Sequence, residues 1–239
     1  MSIYVLVHGG CHNGDHFEAT ASYLRSEGHE VLCPTLHGNR PGDSRGAGLE
    51  EAAQSLVDYF LERNLKDVVL VGHSLAGFAI SAAADRLPEG SIRRLVYYAA
   101  VVPFDGEGFT TMETSPAFAQ QMAELVADDG GIVIPFDMLR EMYINDGTVE
   151  QAKALAESLV PQPIRTLTDT IKLSKTPAEF PMGKSVLRCT EDTTLAGLKS
   201  AFFAERLGLY RLVSMPGSHS THFTNPELLA SKLLEAGRD

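Results

Sequence analysis

The chain has 239 residues, with 20 Lys and Arg against 31 Asp and Glu and a formal net charge of −11. This acidic balance disfavours nucleic acids and anionic membranes as partners, because both attract clustered Lys and Arg, and the sequence has no such cluster. No apolar run reaches the roughly 20 residues that a membrane-spanning helix needs. Hydrophobic residues make up 44% of the chain and charged residues 21%, which predicts one large folded domain.

The cysteines and the first residues bear on location. Cys11, Cys33 and Cys189 are odd in number and far apart, which favours free thiols in a reducing compartment over a disulfide framework. The chain enters a strand-like run at once, without the basic and long apolar regions of a secretory signal. We therefore expect a cytoplasmic location.

Short β-rich runs alternate with helical patterns along most of the chain. The six predicted strands are residues 3–7, 29–33, 68–71, 94–99, 185–188 and 210–214. Helices are predicted at about residues 17–27, 49–63 and 75–86, where apolar side chains repeat at helical spacing or small residues dominate. This alternation is typical of an α/β fold with a mostly parallel sheet of about six strands and helices on both faces.

The alternation fails between about residues 103 and 182, a stretch that contains seven of the 12 prolines. About 80 residues is too long for a loop inside a compact domain. Two apolar faces at helical spacing are present instead: Met112, Phe118, Met122 and Leu125, and Met138, Leu139, Met142 and Tyr143. We expect residues 1–102 and 183–239 to form the core, and residues 103–182 to form a helical lid over the C-terminal edge of the sheet.

The strongest local motif joins the third predicted strand to a helix of small residues, with the sequence Gly-His-Ser-Leu-Ala-Gly over residues 72–77. A strand, a Ser in a tight turn and a following helix are the context that a nucleophile elbow requires. The residues two positions away from Ser74 on either side must be small. Gly72 meets this need, and Ala76 stands where Gly is usual. We expect Ser74 to be the nucleophile and the turn to accommodate the methyl group of Ala76.

Backbone N–H groups near this turn are candidates to stabilise negative charge. The N–H of Leu75 lies at the start of the helix that follows Ser74, where the helix dipole favours an anion. The loop after the first predicted strand contains Gly9 and Gly10, which let the backbone approach a reacting carbonyl closely. By position we assign the second oxyanion donor to the N–H of Gly10.

A Ser hydroxyl is a poor nucleophile unless a base takes its proton. His219 directly follows the last predicted strand and is the preferred base for Ser74. His222, three residues further on, is the alternative. His73 adjoins Ser74 but points away from it in a tight turn, so we expect it to be structural.

The base in turn needs an acid that fixes its tautomer. Asp192, on the loop after the fifth predicted strand, is the preferred acid, while Glu191 and Asp105 remain alternatives. The chain order Ser74, Asp192, His219 is the order that a nucleophile elbow of this type predicts.

No metal or organic cofactor is expected. His8, His12 and His16 are spaced by four residues, but Gly9 and Gly10 disfavour a continuous helix there, and no carboxylate completes a metal site. The sequence contains no phosphate-binding P-loop, and the first loop lacks the glycine pattern of a dinucleotide site.

These motifs resemble the α/β-hydrolase superfamily, and within it the branch of plant methylesterases and hydroxynitrile lyases with their bacterial esterase relatives. The resembling segments are residues 4–12, 28–31, 69–75 and 189–192. The resemblance implies the α/β-hydrolase fold, Ser74 as nucleophile, Asp192 as acid, His219 as base, and Gly10 and Leu75 as oxyanion donors.

Two departures from the family pattern narrow the function. The chain has no Trp, whereas the first loop and the lid of plant members often contain it, so no plant-hormone substrate is carried over. The lyases have Thr after the first-loop His and Lys after the catalytic His. The corresponding residues here are Gly9 and Ser220, so a cyanohydrin lyase is disfavoured.

We therefore expect a serine esterase that cleaves a small carboxylic ester through an acyl-enzyme. Two alternatives remain: a hydrolase-fold binding protein or receptor with little turnover, and the same triad acting on an amide, lactone, carbamate or C–C bond. Residues 103–182 carry five Lys and Arg against 13 Asp and Glu, a net charge of −8 out of −11, so a neutral or cationic substrate is favoured. The oligomeric state is left open, with a homodimer among the alternatives.

Overall fold

The computed structural model describes residues 1–112, 120 and 124–238. Its strands, in chain order, are β1 (Ile3–Val7), β2 (Glu30–Leu32), β3 (Val68–His73), β4 (Ile92–Tyr98), β5 (Gly131–Ile132), β6 (Gln162–Pro163), β7 (Gly183–Cys189) and β8 (Arg211–Met215). Six of them form one sheet in the order β2-β1-β3-β4-β7-β8, and all neighbouring pairs in it are parallel. The predicted six-stranded parallel sheet is confirmed.

The α-helices whose bounds lie within the described residues are α1 (Glu18–Ser26), α2 (Leu49–Glu62), α3 (Ala76–Arg86), α4 (Phe109–Met112), α5 (Phe136–Met138), α6 (Val149–Ser158), α7 (Arg165–Thr168), α8 (Leu195–Leu198), α9 (Ser200–Glu205), α10 (Thr221–Thr224) and α11 (Pro226–Ala236). The first three begin and end within one residue of the predicted bounds. Within the described part of the chain, no helix has the length and hydropathy needed to cross a membrane.

Two apolar layers cover the sheet because successive side chains of a strand point to opposite faces. Val5 and Leu70 pack in one cluster with side chains of α2 and α3, including Leu56. Leu6 packs in the other with side chains of α1 and α11, including Leu24. These five side chains are fully buried, with 0% exposure. Burial of each stabilises the folded state by about 1.5–3 kcal/mol. The two layers hold the central strands rigidly between helices.

The carboxyl ends of parallel strands meet at one edge of a sheet, which is where ligands bind in open α/β folds. Four connections begin at this edge and carry the predicted site residues. They are the loop after β1 with Gly10, the turn after β3 with Ser74, the loop after β7 with Asp192 and the loop after β8 with His219.

The segment between β4 and β7 has its own small elements, α4 to α7 and the antiparallel pair formed by β5 and β6. It also has a small apolar cluster of Leu139, Ile144, Ala152 and Leu155. In the first predicted apolar face, Met112 is buried, while Phe118 and Met122 lie outside the described residues. The pairing of β5 with β6 was not predicted, and the role of residues 103–182 as a lid stays a prediction.

Candidate active site

Ser74 occupies a strained turn between β3 and α3. Its φ of 56° lies in the left-handed region, which is uncommon for residues other than Gly. The turn is held by main-chain bonds: the Ser74 N–H donates to the carbonyl of Tyr98 at 3.1 Å, and the Ser74 carbonyl accepts from the N–H of Gly77 at 3.1 Å. This is the backbone arrangement expected of a nucleophile elbow.

Small residues around the turn are required by close contacts. A Cβ atom on Gly9 would lie 2.9 Å from the Cβ atom of Ser74, and one on Gly77 would lie 1.9 Å from the carbonyl oxygen of Val101. Ala76 is accommodated with 2% exposure. The close backbone approach therefore falls at Gly77, one position after the residue that the family pattern makes Gly.

The structure joins His219 to Asp192 by a buried hydrogen bond, with 2.8 Å between His219 Nδ1 and Asp192 Oδ2. The other oxygen of Asp192 accepts from the N–H of Thr194 at 2.9 Å and from its hydroxyl at 2.7 Å. Burial acts to raise the pKa of Asp192, but its contacts with His219 and Thr194 outweigh burial and hold that pKa below the ordinary value. Asp192 is therefore an anchored carboxylate facing the imidazole.

The alternative acids lie elsewhere. The side chain of Asp105 accepts from the N–H of Leu173 at 2.9 Å, and Glu191 is exposed and donates its N–H to the carbonyl of Gly217. Of the three carboxylates considered, only Asp192 contacts His219 within the described residues.

The alternative base, His222, is enclosed by other rings. It is 1% exposed, and its ring lies 5.2 Å from Phe17 and 4.8 Å from His73 between centroids. Neither of its ring nitrogens has a hydrogen-bond partner among the residues that the structure describes. Burial holds the pKa of His222 well below its ordinary value, so this side chain is a neutral packing element.

His73 contributes to the site indirectly. Its Nε2 donates to the carbonyl oxygen of His219 at 3.0 Å, and the Tyr98 hydroxyl lies 3.4 Å from the same oxygen. The two rings stack at 4.7 Å between centroids. The ring of His73 also lies 4.6 Å from that of His219 between centroids, so His73 packs beside His219 and anchors the main chain that carries it.

The two candidate oxyanion donors lie beside Ser74. Gly10 and Leu75 line the same cavity as Ser74. Within the described ranges, neither of their N–H groups donates a hydrogen bond to another group. Their free N–H groups are the property that an oxyanion hole needs, because they can donate to charge that develops on a substrate.

The cavity at Ser74 has a volume of about 70 Å³. Since one water needs at least about 10–15 Å³, it can hold a small organic group. The segment 103–182 supplies most of its wall: Phe109, Leu125, Ile132, Ile134, Met138, Tyr143, Gln162 and Leu167. No charged side chain is among the described lining residues, which suits a neutral, apolar group.

Three residues near the site were not among the predicted site residues. Thr194 fixes the carboxylate of Asp192, Tyr143 packs its ring 5.5 Å from that of His219, and Gln162 bonds to the loop after β1. The spacing of Thr194, two residues after an Asp at a strand end, is a signal that could have found it. Tyr143 was predicted only as part of an apolar face of the lid, and Gln162 lies in a two-residue strand that leaves no local pattern.

The histidines after β1 do not form a metal site. In the described ranges, no group of three or more His, Cys, Asp or Glu side chains is arranged to hold a metal ion. His8 instead accepts from the N–H of Leu36 at 3.0 Å through Nε2, and His12 donates from Nδ1 to the carbonyl of Gly10 at 2.6 Å. Both rings hold loops in place.

Comparisons with known proteins agree on one family. A model described as the alpha/beta hydrolase family matches residues 4–232. A carbendazim hydrolyzing esterase of Nocardioides sp. is 37% identical over 115 residues, which is 47% of this chain and 47% of that esterase. The chain thus spans about half the length of that relative in the match. A pyrethroid hydrolase of Sphingobium wenxiniae is 24% identical over 97% of this chain and 86% of its own.

Salicylic acid-binding protein 2 of Nicotiana tabacum is 26% identical over 97% of this chain and 95% of its own. Among solved structures, an extracellular alpha/beta-hydrolase from a Paenibacillus species matches 100% of both chains with a TM-score of 0.91 and 28% identity. Its description states structural and functional homology to the tobacco protein. A methylesterase from Arabidopsis has a TM-score of 0.80 at 20% identity over 99% of this chain and 98% of its own, which shows the fold alone.

Proposed function

Because the chain belongs to the alpha/beta hydrolase family, as its motifs predicted, we propose that it is a serine esterase that cleaves small carboxylic esters through an acyl-enzyme. Relatives named as an esterase and a pyrethroid hydrolase support ester cleavage as the reaction class. The observation that carries the finer proposal is the buried 2.8 Å bond between His219 and Asp192 at the sheet edge where Ser74 turns.

In the proposed acylation step, Asp192 accepts a hydrogen bond from the Nδ1–H of His219 and thereby fixes the tautomer with a free lone pair on Nε2. That lone pair takes the hydroxyl proton of Ser74 as Oγ attacks the ester carbonyl. The carbonyl oxygen becomes an anion and accepts hydrogen bonds from the N–H groups of Gly10 and Leu75. Each such donor is typically worth about 10²–10³ in kcat.

Collapse of this intermediate breaks the bond to the alcohol, which leaves with the proton from His219. Water then gives a proton to His219 and attacks the acyl group on Ser74. The second tetrahedral intermediate expels Ser74 Oγ, which takes the proton back from His219, and the free acid leaves. Asp192 stays ionised throughout and stabilises the transient imidazolium, a role that its lowered pKa supports.

The substrate class follows from the wall of the cavity and from charge. The lining is mostly apolar and uncharged, so we propose a small, neutral acyl group. The net charge of −8 on residues 103–182 opposes the approach of anionic esters. No metal or organic cofactor takes part in the proposed steps.

Chemical labelling separates this proposal from a binding protein with little turnover, a function suggested by the name of the tobacco relative. A fluorophosphonate probe should label the protein stoichiometrically at Ser74, and Ser74→Ala should abolish both labelling and hydrolysis of p-nitrophenyl esters. Ser91→Ala is the control, since Ser91 is a buried Ser that precedes β4, at the amino ends of the strands and away from Ser74. A folded protein that stays unlabelled would favour a binding protein.

The cytoplasmic location stays a prediction. Its support is that Cys11, Cys33 and Cys189 are all free thiols, as the sequence predicted. The Paenibacillus neighbour is described as extracellular, so the location of this protein needs its own measurement by cell fractionation.

A further inference from the structure

The loop that carries Gly10 has an unusual backbone at the next residue. Cys11 has a φ of 60°, in the left-handed region that residues other than Gly rarely adopt. Such a conformation persists only when its surroundings determine it. The peptide that carries the N–H of Cys11 begins at Gly10, so a restraint on Cys11 also restrains the backbone next to the proposed oxyanion donor.

Gln162, in β6, makes the contact that holds the N–H of Cys11. Its Oε1 accepts from the N–H of Cys11 at 2.8 Å and from Nδ2 of Asn39 at 2.9 Å. Its Nε2 donates to the hydroxyl of Thr166 at 2.7 Å. Gln162 is 4% exposed, so both ends of its amide bond within the protein. An unpaired buried N–H at Cys11 would cost about 1–3 kcal/mol, which opposes any rotation that breaks the bond.

Gln162 lies between two cavities beside this loop. Gln162 lines the cavity at Ser74 on one side. It also lines a smaller cavity of about 20 Å³ together with His8, Gly9 and Asn39. Other bonds hold the backbone on either side: His12 donates to the carbonyl of Gly10 at 2.6 Å, and the carbonyl of Cys11 accepts from the N–H of Val160 at 2.9 Å. The hydrogen bond to Gln162 completes this set at the N–H of Cys11.

We propose that Gln162 is a positioning residue that holds the N–H of Gly10 in place for the oxyanion. This inference rests on the proposed esterase function. It also assigns the segment 103–182 a part in catalysis, because Gln162 reaches across from that segment to the loop after β1. The assignment concerns orientation only, since Gln162 acts through the backbone of Cys11 and does not touch reacting atoms.

The choice of an amide is explained by charge. The site needs a side chain that accepts from Cys11 and Asn39 and donates to Thr166. An ionised carboxylate could accept the same bonds, but it could not donate to Thr166, and its negative charge would repel the developing oxyanion. A neutral amide meets all three contacts without that repulsion.

The first test is Gln162→Met, which keeps the length of the side chain and removes its polar groups. We expect kcat to fall by about tenfold to 10²-fold, since small misplacement of a catalytic group has effects of that size. KM should stay within about twofold, because the oxyanion forms only on the way to the transition state. Ser185→Ala is the matched control, since it removes a buried hydroxyl that donates to the carbonyl of Ala236, away from the cavity. The control should keep the native kcat, while its melting temperature should be similar to that of Gln162→Met.

The second test is Gln162→Glu, with activity expressed at each pH as a ratio to the native enzyme so that pH effects common to both proteins cancel. At low pH the protonated carboxyl of this variant can accept from Cys11 and Asn39 and donate to Thr166, as the amide does. Its ratio should therefore rise as the pH falls, while the ratio for Gln162→Met stays flat. A purely structural role for Gln162 gives no such difference between the two variants.

Native kcat in Gln162→Met, or a pH-independent ratio for Gln162→Glu, would overturn the assignment. The underlying function fails in a separate way. If Ser74→Ala keeps native ester hydrolysis, the esterase proposal itself falls, whatever the Gln162 variants do.

Discussion

Two regions of different character meet at the cavity. The sheet edge contributes polar groups held by main-chain hydrogen bonds: Ser74, the N–H groups of Gly10 and Leu75, and the pair of His219 and Asp192 behind them. The segment 103–182 contributes chiefly apolar side chains. Groups on a rigid sheet can be placed accurately, whereas a connecting segment varies more readily. We therefore expect substitutions at the sheet edge to change the rate of bond cleavage, and substitutions in the segment to change which ester is cleaved.

The largest effect should come from Ser74→Ala, which removes the proposed nucleophile. We expect kcat for an efficient ester to fall by on the order of 10⁶, as for loss of a nucleophile in a catalytic triad. Steady-state hydrolysis of a p-nitrophenyl ester by the purified variant is the measurement. Native-like turnover by this variant would show that Ser74 is not the nucleophile.

Asp192→Asn should lower kcat by roughly 10⁴, because the amide no longer fixes the productive tautomer of His219. Glu191→Gln is the control at the neighbouring, exposed carboxylate and should be close to native. The same ester assay serves for both variants. The acid would be misassigned if the Asn variant were near native and Glu191→Gln or Asp105→Asn were inactive.

Buried histidines at the sheet edge should make the fold sensitive to acid. Burial lowers the pKa of His8 to about 4 and that of His12 to about 3. Below their ordinary pKa near 6.5, the unfolded chain binds protons that the folded chain excludes. Each such ring therefore contributes stability that is complete above about pH 6.5 and falls by about 1.4 kcal/mol per pH unit as the pH drops toward its folded value.

His222→Phe tests this acid sensitivity, since the ring nitrogens of His222 have no partner within the described residues. The free energy of unfolding should be measured with urea between pH 7 and pH 5. It should fall less steeply with decreasing pH in this variant, because unfolding takes up about one proton fewer. If the unfolding free energy depended on pH as steeply in the variant as in the native protein, His222 would not contribute to the acid sensitivity.

The smallest effect concerns the segment. Ile134→Ala enlarges the apolar wall of the cavity and should shift the preference among acyl chains toward longer ones by about tenfold in relative kcat/KM, since one methylene in an apolar pocket is worth about 10–200-fold. Val149→Ala, at an exposed position on α6, is the control. Equal loss of activity on all esters would mean that this side chain does not select the substrate.

The sequence predicted the sheet edge well for a physical reason. Ser74 and His219 follow apolar strands by only a few residues, so locating each strand also located the residue. The three predicted helices followed from their patterns for the same reason, since a buried face leaves a local repeat in the sequence.

The contacts of Gln162 could not be predicted in that way. Gln162 lies 151 positions from Cys11 and 123 from Asn39, in β6, whose two residues are too few to leave a pattern in the sequence. The shift of the glycine requirement from Ala76 to Gly77 was equally hidden, because it depends on the carbonyl of Val101, which comes close to α3 only in the folded chain.

The central claim is that ester cleavage passes through an acylated Ser74. It is tested most directly by quenching the enzyme during turnover of a slowly deacylated p-nitrophenyl ester and locating the acyl group by mass spectrometry of the digested protein. The account predicts one acyl group per chain on the peptide that contains Ser74, formed together with a burst of one equivalent of p-nitrophenol. A burst with the acyl group on another residue would contradict it.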